Sequence, residues 1–177
     1  LFQVWYASPL PFIFGFGILN DTEARAIHLA FAIFLAFCAF PAFKSSSRSV
    51  IPWSDWLLAL VGAFCGAYLF LFYNQLALRP GLPTTMDIVV GVVGVAIMLE
   101  ATRRAMGFGM LVTTGLFMAF VFLGPYMPDV IQHRGASLSR FISHMWLTTE
   151  GVYGVALGVS VIVFMSALLT GLQGSIF

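Results

Sequence analysis

Long stretches of this chain carry no charge, and they recur at a spacing that leaves few possible folds. A helix needs about 20 mainly apolar residues to cross the hydrocarbon core of a bilayer. The charged residues mark off runs of about that length: segment A from Ala24 to Phe43, B from Trp53 to Leu78, C from Met86 to Ala101, D from Met106 to Met127 and E from Val152 to Thr170. The expected fold is an all-α integral membrane bundle of about five transmembrane helices, preceded by a partial N-terminal span. Segment C is the shortest and would borrow Thr84, Thr85 and Thr102 to reach both interfaces.

Composition points the same way. The chain is 60% hydrophobic and 8% charged, whereas a soluble domain is about a quarter charged. Its mean hydropathy is +0.99. A net charge of +1 provides no basic field for nucleic acid, which is excluded as a partner. Cys38 and Cys65 lie inside apolar runs without a C-x-x-C pattern, so they read as small buried side chains and not as a disulfide or metal site. The chain opens at Leu1 within one apolar stretch and stops at Phe177 after another, and a segment of a longer protein is expected.

The connections carry the chemistry of helix ends. "KSSSRSVIPWSDW" reads as a polar loop with the interfacial aromatics Trp53 and Trp56. "RPGLPTTMD" holds two prolines and Gly81, followed by Thr84 and Asp87 at the spacing of a helix start, so B and C should form a tight antiparallel hairpin. Before A, "LFQVWY" reads as the tail of a span, "ASPLPFIFGFGILN" as a non-spanning excursion, and Asn20, Asp21 and Thr22 as N-cap residues. Between D and E, Leu138, Phe141, Ile142, Met145 and Trp146 share one helical face while Arg140, Ser143 and His144 lie opposite. That pattern predicts a short amphipathic helix in the membrane interface.

Gly62 and Gly66 in B, and Gly154 and Gly158 in E, form G-x-x-x-G faces, and C carries Gly91 and Gly94. Lipid gives no hydrophobic reward for helix association, so close backbone approach at small residues must supply the contact. These are the expected helix-packing positions.

No catalytic site is expected. G-x-S-x-G, H-E-x-x-H and P-loop patterns do not occur, and no two of His, Cys, Asp or Glu stand at ligand spacing on one helix. Neither metal nor other cofactor is implied. The chemistry left to explain is the charge in "LEATRRAMG": Glu100 lies three and four residues before Arg103 and Arg104, so a membrane-edge ion pair is expected. The plain reading is a self-neutralised helix end marking a sharp turn between two spans; a docking or gating contact is the alternative. Lys44, Arg48, Arg103 and Arg104 fall at one side of the spans, which the positive-inside rule makes cytoplasmic. Arg25, Arg79, Arg134 and Arg140 fall at the other and weaken that vote.

The runs "RAIHLAFAIFLAF", "DWLLALVGAFCGAY", "LRPGLPTTMDIVVGVVGVAIMLEATRRAMG" and "GPYMPDVIQHRGASLSRFISHMWLTTEGVYGVALGVS", in this order, resemble the N-terminal part of the fused membrane permease of tripartite ATP-independent periplasmic (TRAP) transporters, in the branch that works with TAXI-type binding proteins. The resemblance covers nearly the whole chain, and "RPGLPT" through "LEATRR", "HRG" and "TTEG" carry its most specific part. It implies a small-subunit-like scaffold over residues 1–105, a connecting transmembrane helix over 106–127, and an interfacial helix with the first helix of the large-subunit portion over 128–177. It further implies sodium-coupled uptake of organic acids delivered by a periplasmic binding protein, a location in a bacterial or archaeal inner membrane, and the large permease portion as partner. The family's sodium and substrate sites would lie beyond Phe177. The stretch "VIVFMSALLTGLQGSIF" departs from the family pattern, which affects the role of segment E. A structural or assembly subunit of another inner-membrane complex, with no transport role, is the competing expectation.

Overall fold

The computed structural model describes residues 2–42 and 51–154. Most of segment E lies outside the described residues, as does Gly158. The described chain is helical throughout, without strands: α1 Phe2–Ala7, α2 Leu10–Phe14, α3 Asp21–Ala39, α4 Trp53–Leu71, α5 Tyr73–Ala77, α6 Thr85–Met106, α7 Phe108–Leu123 and α8 Leu138–Trp146. Four of these helices, with α7 extended to Tyr126, are long and apolar enough to cross a membrane. The chain is an all-α membrane protein.

Helix starts follow local chemistry. The Asn20 side chain accepts from the Glu23 backbone N–H at 2.8 Å while Glu23 accepts from the Asn20 N–H at 3.0 Å, a reciprocal cap that sets the first turn of α3. Thr84 and Asp87 make the same arrangement at α6. Two expected boundaries are corrected. Segment C is not the shortest span: α6 has 22 residues, the longest among the described helices. It continues through Glu100, Arg103 and Arg104 because arginines in a last turn complement the helix dipole, and it ends where Gly107 takes φ 87°. Segment B is not one helix to Leu78, since the backbone departs from helical values at Phe72 (φ −114°, ψ 22°) and restarts as α5. The N-terminal stretch forms two short helices, with Trp5 stacked on Phe14 at 6.0 Å between ring centres.

The core is the packing of α3, α4 and α6. A Cβ placed at Gly66 would lie 3.0 Å from both the Cα and the N of Ala30, so α3 and α4 touch backbone to backbone. One turn earlier, a Cβ at Gly62 would lie 2.5 Å from an Ile33 methyl and 2.8 Å from an Ile97 methyl, so the same glycine face receives side chains from α3 and α6. In lipid this intimacy supplies the dispersion energy that holds helices together. Gly154 is different. The space where its Cβ would sit is filled by the Thr149 carbonyl, so it serves a tight turn and not a facing helix.

Helix α8 lays its apolar face on α6. Ile142 occupies the gap above Gly91, and the Trp146 indole lies flat against Gly94. Phe141, Ile142 and Trp146 are buried and Met145 half-buried, while Arg140 and His144 face outward. One expectation changes: Leu138, in the first turn and upstream of the contact with α6, remains 51% exposed. The apolar surroundings of the other four are supplied by protein, with Ile142 and Trp146 against α6. By contrast no side chain of α7 is fully buried; Met118, Val121 and Phe122 pack partly against the core, and a cavity of about 210 Å³ lined by Val95, Leu99, Phe117, Val121 and Met145 remains beside α6 and α8.

Glycine positions therefore separate into those that must stay small and those that need not. Gly66→Ala should lower stability in detergent by about 1–3 kcal/mol, the usual cost of overpacking, because the atoms it meets are backbone and cannot turn aside. Gly109→Ala, which meets nothing within 4 Å, should leave thermal unfolding unchanged or raise its midpoint. Fluorescence-detected size-exclusion melting curves of the two variants test the assignment.

Candidate functional site

The described polar chemistry gathers at the two ends of the three-helix core. At the C-terminal end of α6, Glu100 pairs with both arginines: its Oε1 and Oε2 accept from Arg103 Nη2 and Nε at 2.7 Å each, and Oε1 accepts from Arg104 Nε at 2.8 Å. The carboxylate and Arg103 remain 30% exposed, as expected at a membrane edge. Arg104 does not. Its side chain is 4% exposed, lies 2.9 Å from Oδ1 of Asp55 at the start of α4, and stands 4.7 Å over the ring of Phe37 from α3. Asp55 is itself 2% exposed. Its Oδ1 is buried and receives no aligned hydrogen bond, so the Asp55–Arg104 contact is one of charge, with Arg104 fixed by Glu100 and Phe37. Arg103 Nη2 donates to the Ala42 carbonyl at 3.2 Å and Arg104 Nη1 to that of Phe40 at 3.4 Å, which ties the residues just after α3 to the same cluster.

This alters the reading of the charges in "LEATRRAMG". Glu100, Arg103 and Arg104 lie inside the helix, and the turn follows them at Gly107. The cluster is also more than a self-neutralised helix end, because Arg104 joins three helices.

At the opposite end Asp87 is fully buried yet satisfied: Oδ1 accepts from Tyr68 Oη at 2.7 Å and Arg79 Nη2 at 3.3 Å, and Oδ2 from the Thr84 N–H at 2.7 Å. The N-terminus of α6 favours that negative charge as well. One carboxylate thus holds α4, the α5–α6 loop and the start of α6 together. Close by, Trp146 Nε1 and Tyr153 Oη donate at 3.3 Å to the Cys65 carbonyl, and Tyr153 Oη reaches that of Gly66 at 3.1 Å. Arg25 pairs with Asp21 at 2.8 Å and reaches the Gly154 carbonyl at 3.4 Å.

The "HRG" stretch closes the chain after α7. The Gly135 N–H donates to His133 Nδ1 at 3.0 Å, which leaves Nε2 to carry the proton toward the Phe120 carbonyl at 3.1 Å. The ring fills the space beside Gly124, and the Ala136 N–H donates to Val121 O at 3.1 Å. The histidine thereby caps a helix end and starts the return into α8.

Sequence reasoning named Glu100, Arg103, Arg104, Gly62 and Gly66, but missed Asp55 and understated Asp87. A signal existed for both. Asp55 precedes Ala59, Gly62 and Gly66 at helical spacing, and Asp87 precedes Gly91 and Gly94 likewise, so each carboxylate shares a face with the small residues that mark contact. Comparison of the chain with protein-family models, curated proteins and solved structures gives no match.

Removing one partner of the buried pair leaves the other unsatisfied. Asp55→Leu should cost about 3–5 kcal/mol of stability, and the double variant Asp55→Leu with Arg104→Met should recover a substantial part of it. A double-mutant cycle of unfolding in detergent measures the coupling; strict additivity of the two single effects would remove the tie.

Proposed function

We propose that this chain is the scaffold portion of a sodium-coupled secondary transporter of the TRAP type, which takes up organic acids handed over by a TAXI-type periplasmic binding protein across a bacterial or archaeal inner membrane. The observation that carries the scaffold part is the placement of charge. Asp55, Arg104, Glu100, Tyr68, Arg79 and Asp87 are engaged between helices at the ends of α3, α4 and α6. A transport site would instead gather polar groups and opened helix ends near the midplane. The TRAP part rests on the resemblance of "RPGLPT" through "LEATRR", "HRG" and "TTEG".

On this reading the three-helix core anchors the permease and widens its footprint in the bilayer. Helix α7, none of whose side chains is fully buried by the described chain, connects it to the large permease portion, which would bind sodium and the acid. No residue of this chain is assigned to substrate.

Reconstitution decides the matter. Vesicles holding the complete permease should accumulate the organic acid when supplied with its binding protein and an inward sodium gradient, and vesicles holding residues 1–177 alone should not. Uptake by the segment alone would overturn the scaffold role. No uptake by the complete protein under any ion gradient would favour a structural or assembly subunit.

A further inference from the structure

A second feature lies at the end of the bundle that carries Asp87. There the α5–α6 loop, the start of α3 and the outer side of α8 enclose an open cavity of about 680 Å³. Arg79 and Arg140 line it, with Ser139 and Ser143 beside Arg140 on α8 and an apolar wall from Tyr73 and Leu76. No aspartate or glutamate is among its lining residues. The charges around it are unevenly matched. Arg79 spends Nη2 on Asp87, and its side chain remains 29% exposed. His144, also in the lining, faces Glu150 at 3.3 Å. Arg140 has no ion pair among the described residues, its one side-chain cap contact being made by its backbone N–H to Ser137.

We propose that this cavity binds an oxyanion, the phosphate of an anionic phospholipid headgroup. Guanidinium groups and hydroxyls are the donors that recognise phosphate oxygens, and the lining sets Arg140, Ser139 and Ser143 together with Arg79 and no carboxylate. The apolar wall selects the lipid source. Tyr73 and Leu76 follow directly on the end of a membrane-spanning helix, at the depth where a glycerol backbone and the first methylenes of an acyl chain lie. A basic pocket between helices at the membrane surface is a physical match to such a headgroup. A lipid held here would bridge α8 to the α5–α6 loop and fill a gap that side chains leave open.

The full-length protein, purified in mild detergent and supplied with phosphatidylglycerol, is the material for the test. Native mass spectrometry should show one phosphatidylglycerol retained by the wild type, and Arg140→Gln should weaken retention about tenfold, the effect of one charge-assisted contact. Arg140 is exposed and unpaired among the described residues, so the variant should melt as the wild type does without lipid. Ser143→Ala, a milder change in the same lining, should reduce retention less. Equal retention by wild type and both variants would overturn the proposal. So would thermal protection by inorganic phosphate at a concentration where phosphatidylglycerol gives none, an outcome assigning the cavity to a soluble oxyanion.

Discussion

Everything in the three-helix core depends on Arg104 being able to lie inside it. A guanidinium taken out of water is tolerated only when its charge and donors are met, and here Asp55, Glu100 and the Phe37 ring come from different directions to meet it. Each belongs to a helix, so the solution to one residue's desolvation fixes three helix ends. The geometry works because Gly66 lets α4 approach Ala30 of α3 to backbone contact. A larger residue would separate α3 from α4 and move Phe37 away from Asp55.

The opposite end solves the same problem with a carboxylate. Asp87 is buried in the first turn of α6, where the helix dipole and three donors hold it. The two ends are thus pinned by charges of opposite sign on one helix, with glycine contacts between them: Gly91 and Gly94 receive α8, and Gly62 receives Ile97. Helix α6 is the axis of the described structure. Helix α7 has no fully buried side chain and meets the core along one face only, through Met118, Val121 and Phe122, the last with its ring centre 5.0 Å from that of Phe141. The rest of the α7 surface is apolar and uncovered by the described residues.

Much of this was legible in the sequence. Apolar run length located four membrane helices, since a bilayer imposes that length whatever the partners are. Capping chemistry located the starts of α3 and α6 because Asn20, Glu23, Thr84 and Asp87 act over three residues. The amphipathic period located α8, but could not say that Ile142 and Trp146 would meet glycines of α6 and not lipid, because periodicity identifies an apolar face and never its cover. The end of α6 lies beyond the expected Ala101 for a related reason: hydropathy falls off before Arg103 and Arg104, whereas the helix goes on while those charges are paired with Glu100. The place of Asp55 on the glycine face of α4 is legible in the sequence, but its pairing is not, because Arg104 is 49 positions away along the chain and a long-range ion pair leaves no local pattern.

The most direct measurement of the scaffold account is a distance that should not change. Spin labels at Leu60 on α4 and Val89 on α6, both outward-facing, would report the core in the complete permease reconstituted in lipid nanodiscs. The account predicts one narrow distance distribution that stays the same when sodium, organic acid and loaded binding protein are added. A second population, or a shift of more than about 5 Å, the scale of one helical turn sliding past a neighbour, would show that the core itself moves during transport and would contradict its role as a fixed support.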